Sequence, residues 1–408
     1  MICLPVNLIN FQYCVQCSFQ VLSDIIPKET LLWRLKLLQS AAAYANSRLH
    51  AVRAESLVLA GGNDNLLRSR DEAYRLKSSL KNCKVRCFKD NGHSMLMEDG
   101  FNLLTIIKGA CKYRRTRRLD FVSDFLPPSM SEFKCNHMIS RLFRFGTCPA
   151  VFSTLDDGKI VRGLAGVPDE GPVLFIGYHM LMGFEIYSLV EEFMKEKNIV
   201  VRGIAPPYLF SEVMEGLFTG FSVSDWLKVM GAVPVTGSNL FRLLSTKSHV
   251  LLYPGGQREA LHNKGEGYKL FWPDQPEFVR MAARFGATIV PFGTVGEDDV
   301  GELALDYHDM MKIPILNDYI RGAKSKVINI LLIREVARTE LFIPGILPKL
   351  PGRFYYLFGK PIKTKGMKEK LEDRESENLL YLHVKSEVEN SIAYLLKKRE
   401  EDPCRNVN

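Results

Sequence analysis

The stretch HVLLYPGGQREALH, residues 249–262, constrains this chain more than any other. Its apolar start, HVLLY, has the continuous hydrophobicity of a strand buried on both faces. The run stops at Pro254-Gly255-Gly256, where the backbone can turn sharply and approach a ligand closely. Gln257, Arg258 and Glu259 follow at once. An earlier apolar run, PVLFIG, ends at GYHMLMGFE and delivers His179. Two buried strand ends, one with a histidine and one with a glycine turn, read as parts of one site.

The chain has 408 residues, a length that suits two domains on the usual scale of roughly 100–200 residues each. Net charge is +8 and the pI is near 8.9. That balance favours anionic surfaces or thioester cofactors. The one compact basic run, KYRRTRR at 112–118, reads as a solvated linker, so no nucleic-acid partner is expected. Nine cysteines form no regular framework; Cys14 and Cys17 make a single CxxC without a second pair at zinc spacing, so no metal site is expected. No uninterrupted apolar run reaches the roughly 18 residues of a membrane span. The moderately apolar N-terminus lacks the features of a secretory signal or transit peptide.

Periodicity predicts a helix within 26–54. A strand then ends at Gly61-Gly62, with Asp64 in the loop after it. The polar-faced helical run RSRDEAYRLKSSLKN and a strand leading to a loop with His93 follow. Residues 112–131 read as a linker, through the basic run and then DFLPPSMSEF. After it PVLFIG, NIVVRGIA, HVLLY, ATIVPFG and YYLFGKPI alternate with helical stretches such as YSLVEEFMKEK and PEFVRMAARFG. That order predicts an α/β domain with a largely parallel sheet. Leu380, Val384, Val388, Ile392 and Leu396 mark one face of a terminal helix. The expected domains are 1–111, a linker at 112–131, and 132–408.

A histidine at a strand-to-helix junction suits a general base, because imidazole titrates near neutrality. On its own, such a histidine is more often a satisfied core residue. Glu185 is the candidate to orient it, yet a continuous helix would put the two on different faces. Gly183 between them permits an irregular turn. Pro254, Gly255 and Gly256 would let backbone N–H groups approach a phosphate or oxyanion; Arg258 would add charge, and Glu259 would hold the loop or the histidine. Alone, PGG is an ordinary turn.

Taken together, GYHMLMGFE, then FSVSDWLKVMGAVPVTGSNLFRLL with Gly231 and Arg242, then LLYPGGQREAL, then ATIVPFG with Pro291, resemble four blocks of the diacylglycerol acyltransferase type 2-like branch of the glycerolipid acyltransferases. The resemblance implies an O-acyltransferase, with His179 as base and Pro254, Gly255, Gly256, Arg258, Glu259 and Arg242 in acyl-donor binding. That family's usual spacing would put the acid at 184, which is Phe184; Glu185 comes one residue late.

Asp64 and His93 have the order and setting of the acid and base of a Ser–Asp–His triad. No GxSxG elbow precedes Asp64 in this sequence. The first domain therefore resembles the C-terminal fragment of an α/β-hydrolase, and both residues are expected to be vestigial. GNDNLLRSRDEAYRL, FKDNGHSMLMEDG, GYHMLMGFE and FGKPI are similar to the plant phytyl ester synthase family, also called esterase/lipase/thioesterase family acyltransferase-like proteins, and the chain is expected to be an N-terminally truncated member. That family esterifies phytol or diacylglycerol, so the resemblance implies fatty acid phytyl esters and triacylglycerol as products. It implies acyl-CoA or acyl-carrier protein as co-substrate with no bound cofactor, and a place in the chloroplast and its plastoglobules. Peripheral contact with a membrane or lipid particle is expected through the apolar, proline-rich segment 342–352 after VINILLI. Two other readings stand beside this one: an esterase or thioesterase using Asp64 and His93, or an inactive lipid-binding form.

Overall fold

The computed structural model describes residues 27–98, 101–110, 119–128, 145–210, 223–274, 276–318, 320–322, 342–349 and 352–405. The CxxC, the KYRRTRR run and VINILLI lie outside them. The described chain is mixed α/β, in two compact units, 1–93 and 94–408. The division falls ahead of the expected 111/112 boundary.

In the first unit helix α1, Lys28–Ser47, precedes strand β1, Ser56–Gly61, helix α2, Ser69–Ser79, and strand β2, Cys83–Phe88. β1 and β2 pair in parallel from Ser56↔Cys83 to Gly61↔Phe88. The two glycines after this apolar run have a steric purpose. A Cβ on Gly61 would lie 2.4 Å from the Gly92 carbonyl oxygen. Gly62 N donates to the Phe88 carbonyl at 2.7 Å, and Asn63 N to that of Asn91 at 3.0 Å. The chain after β1 is thereby laced to the loop that carries His93.

The second unit contains α3, Leu103–Ala110; β3, Ala150–Thr154; β4, Ile160–Arg162; β5, Val173–Gly177; α4, Phe184–Lys197; β6, Val201–Ala205; α5, Val223–Val229; and β7, Val233–Pro234. It continues with α6, Gly237–Ser245; β8, His249–Leu252; α7, Gly256–Ala260; α8, Glu277–Phe285; β9, Thr288–Val295; α9, Glu297–Val300; and β10, Gly301–Leu305. α10, Tyr307–Lys312; β11, Gly345–Pro348; β12, Tyr355–Phe358; β13, Ile362–Lys363; and α11, Arg374–Glu400, complete it. The large sheet runs β4-β3-β12-β9-β5-β8-β6-β7, with β13 on β9. From β9 to β7 every neighbouring pair is parallel. β12 runs antiparallel to β9 but parallel to β3, so the sheet is mixed.

β5 lies between β8 and β9 and every one of its residues is buried. This is why its sequence is an unbroken apolar run. α11 presents Tyr381, Val384, Val388, Ile392 and Leu395 to the core, with Leu380 and Leu396 partly buried beside them. Residues 119–128 are tied to the rest of the second unit: Arg202 Nη2 donates to the Phe121 carbonyl at 2.6 Å and Lys108 Nζ to that of Pro127 at 3.2 Å. Within 342–352, residues 345–348 form β11, paired antiparallel with β10; Phe342 is buried, while Ile343 and Leu347 are exposed. No helix among the described residues is long and apolar enough to cross a membrane.

Candidate active site

Three adjacent parallel strands, β8, β5 and β9, end side by side and each hands over a short polar segment. β5 delivers Tyr178 and His179, β8 delivers Tyr253 through Glu259, and β9 delivers Gly296 and Glu297. Crevices outside the carboxyl ends of parallel strands are where open α/β sheets place ligands.

His179 Nδ1 lies 2.7 Å from Glu185 Oε1. The helix-face argument against this pair fails because the helix does not begin at the histidine. A 3₁₀ turn, Leu181–Gly183, intervenes, with Met182 at φ 56° and Gly183 at φ 70°. α4 then starts at Phe184, so Glu185 sits in its first turn and reaches back. The turn is also tight: a Cβ on Gly183 would meet the His179 ring at 3.0 Å. Glu185 is fully buried, whereas the His179 side chain keeps 16% of its surface exposed. A carboxylate on Nδ1 fixes the tautomer and leaves Nε2 for a substrate proton.

Two further buried glutamates hold the histidine's backbone. Glu259 Oε2 accepts from His179 N at 3.0 Å, and its Oε1 from Phe271 N at 2.9 Å. Glu297 Oε2 accepts from Leu181 N at 2.6 Å, and its Oε1 from the Tyr178 hydroxyl at 2.9 Å. That hydroxyl in turn accepts from Tyr268 N at 3.0 Å. The segment from Tyr178 to Leu181 is thus held on both sides of His179. Burial pushes the Glu259 carboxyl up to about 7 and Glu297 up to about 8, despite hydrogen bonds that favour their charged forms.

These shifts fix a pH dependence. Both folded pKa values exceed the ordinary 4.5 of an unfolded chain. The native state therefore holds protons that the unfolded state has released, and stability falls as pH rises from about 4.5 through about 7 and about 8. Buried His249 and His262 act oppositely, since burial lowers their pKa values and stability rises toward the ordinary 6.5. A difference measurement separates the effects. The melting temperature of wild type minus that of Glu297→Gln is expected to fall steadily between about pH 5 and 8. A pH-independent difference would show that Glu297 is ionised throughout.

The PGG turn is less uniform than its sequence. A Cβ on Gly255 would lie 2.1 Å from Glu259 Cδ, so Gly255 makes room for the carboxylate that holds His179. Gly256, at φ 49°, has nothing within 4 Å of such a Cβ. Gly255→Ala is expected to lower both melting temperature and turnover. Gly256→Ala adds backbone strain of about 1–2 kcal/mol and blocks only open space, so it should chiefly raise the apparent donor KM. An unchanged donor KM in Gly256→Ala would leave the turn a purely structural role.

The other expected site residues are placed as follows. Pro254 is partly buried at the start of the turn. Arg258 Nη2 donates to Glu266 Oε1 at 2.7 Å, and its guanidinium lies 4.0 Å over the Phe271 ring. Arg242 is engaged elsewhere: its Nη2 donates to Asp120 Oδ2 at 2.6 Å and Ser123 Oγ at 2.8 Å. In the first unit His93 Nδ1 lies 3.0 Å from Asp64 Oδ2. Asp64 also accepts from Ser69 Oγ, from Leu66 N at 2.9 Å and from Leu67 N at 3.0 Å. The Ser69 bond, with these others, holds its carboxyl well below the usual range. No metal-binding cluster of His, Cys, Asp and Glu occurs among the described residues.

Sequence reading missed Glu297 and Tyr253. Glu297 stands in GEDDV, which resembles a solvated acidic run; the signal was a carboxylate one glycine beyond the end of an apolar strand. Tyr253 was absorbed into the strand HVLLY.

Residues 175–376 match the family model described as diacylglycerol acyltransferase. The chain is 62% identical over 392 residues to phytyl ester synthase 1, chloroplastic, of Arabidopsis thaliana, covering 95% of this chain and 55% of that protein. It is 49% identical over 398 residues to phytyl ester synthase 2, chloroplastic, of the same plant, covering 96% of this chain and 56% of that protein. Human 2-acylglycerol O-acyltransferase 3 is 29% identical over 151 residues, 36% of this chain and 42% of that protein. The chain spans little more than half the length of the two plant relatives. No solved structure matches it.

Proposed function

We propose that this chain is an O-acyltransferase moving a fatty acyl group from a thioester to phytol or diacylglycerol, a reading supported by the match of residues 175–376 to the family model described as diacylglycerol acyltransferase. The products are fatty acid phytyl esters and triacylglycerol. The observation that carries the reading is the pair of His179, at the carboxyl end of β5, and Glu185, in the first turn of α4. His179 Nε2 takes the proton of the acceptor hydroxyl as its oxygen attacks the thioester carbonyl. Glu185 stabilises the imidazolium that forms. The tetrahedral intermediate collapses, the carbon–sulfur bond breaks, and the leaving thiolate recovers the proton from His179. The backbone N–H of Gly255 is the candidate for steadying the oxyanion, since that of Gly256 already donates to the Tyr253 carbonyl at 3.0 Å.

Acyl-CoA or acyl-carrier protein is the donor, as a co-substrate rather than a resident cofactor. The names of the two plant relatives support a chloroplast location. Plastoglobule surfaces, reached by peripheral contact, are the place where such apolar acceptors collect.

The first unit supports a second, weaker reading. Its parallel β–α–β arrangement and its Asp64–His93 pair fit the last part of an α/β-hydrolase. We assign that pair no part in transfer from a thioester. Supplied with an acyl thioester and phytol or diacylglycerol, wild type and His93→Ala are expected to form ester at equal rates, read by lipid chromatography. Hydrolysis of a model ester without any transfer would sink the acyltransferase reading. Galactolipid turnover that vanishes in His93→Ala would establish a working hydrolase site.

A further inference from the structure

Tyr253 leaves β8 and enters the PGG turn with its side chain buried among the groups of the site. Its ring lies on the His179 imidazole, with centroids 4.1 Å apart and planes 7° from parallel. Phe292 closes against it edge-on at 5.9 Å, so the tyrosine ring cannot swing aside freely. Two orphaned polar atoms accompany this stack. Tyr253 Oη is buried without an aligned hydrogen-bond partner, and so is Glu185 Oε2. Buried polar atoms without partners are costly and rare, which makes the pair unusual unless they serve each other. Burial first, and then the charge of Glu185, pushes the phenol pKa well up. The other titratable groups facing the phenol are Glu259 and Tyr356. Tyr356 is already committed, its hydroxyl donating to the Glu185 carbonyl at 3.0 Å.

We propose that Tyr253 is the positioning residue of the His179–Glu185 pair, its ring fixing the imidazole plane and its hydroxyl donating to Glu185 Oε2, so that Oε1 is kept for His179 Nδ1. The assignment rests on the reading of His179 as general base.

The test compares wild type, Tyr253→Phe, Tyr253→Leu and His179→Ala, measuring kcat and both KM values with a long-chain acyl-CoA and phytol from about pH 5 to 9. Tyr253→Phe keeps the stack and loses the hydroxyl. Its kcat is expected to fall roughly tenfold with both KM values unchanged. Tyr253→Leu, which loses the stack as well, should fall further, so that phenylalanine restores part of the rate relative to leucine. A Tyr253→Phe enzyme with wild-type kcat would overturn the proposal. So would a smaller active fraction whose per-site constants and pH profile are unchanged, since that is a folding effect alone. His179→Ala is the separate control. Turnover surviving there would remove the general-base reading, and the proposal with it, whatever the tyrosine variants do.

Discussion

Replacing His179 with Ala is expected to cut acyl transfer by the roughly 10²–10⁴-fold typical of a lost general base, with the fold intact. The side chain is partly exposed at a strand end, and it is not needed to fill the core around β5. Its backbone N–H bond to Glu259 survives the substitution. The buried Glu185 carboxyl loses its partner, so melting temperature should fall, but turnover of the folded protein should collapse. The companion variant Glu185→Gln should also lose much of the rate, roughly 10–10³-fold, because the amide fixes the imidazole poorly and cannot balance its positive charge. Linear spacing alone argued for a milder effect. The positive-φ turn at Met182 and Gly183 reverses that argument by bringing Glu185 Oε1 to 2.7 Å from the ring. An alanine variant that retained most of the transfer would end the assignment of His179. A Glu185→Gln variant with wild-type kcat would leave the histidine as a lone base.

What could be read in advance divides along physical lines. The strands VLFIG, HVLL and TIVPFGTV were legible because strands buried on both faces need continuous apolar sequence. His179 and Glu259 were legible because polar residues stand out directly after such runs. The His179–Glu185 pair was legible only as a candidate, through the irregular turn that Gly183 permits; the geometry that makes it depends also on a methionine held in the left-handed region, a conformation imposed by surrounding structure and invisible in local propensity. Glu297 was hidden for another reason. Its burial requires β9 to lie beside β5, a pairing between strands far apart in sequence. The role expected of Arg242 rested on its place in a block, yet its partners are Asp120 and Ser123, in a stretch that read as linker.

The second large effect is expected at Glu259, through position rather than chemistry. One buried carboxylate accepts the N–H of His179 and the N–H of Phe271, tying the end of β5 to the segment beyond α7. Glu259→Ala would leave both donors without their partner. At roughly 1–3 kcal/mol each, the pair is worth about 2–6 kcal/mol, enough to threaten a domain of ordinary stability. Gly255 would then face empty space where the carboxylate lay, and the His179 backbone would be free to drift. A displacement of about 1 Å at a base costs on the order of 10²-fold in rate. Glu259→Gln separates the two consequences. Its single carbonyl oxygen can serve one N–H, but its amide NH₂ must then confront the other. It should fold, melt below wild type and turn over slowly, with the deficit in kcat rather than in either KM. The deciding comparison uses folded Glu259→Gln, verified by its melting transition, in the acyl-transfer assay. Wild-type kcat in that protein would mean that His179 is held well enough by Glu297 and the 3₁₀ turn alone. A lowered kcat with preserved KM values would place Glu259 beside Glu185 as part of what makes this histidine a base.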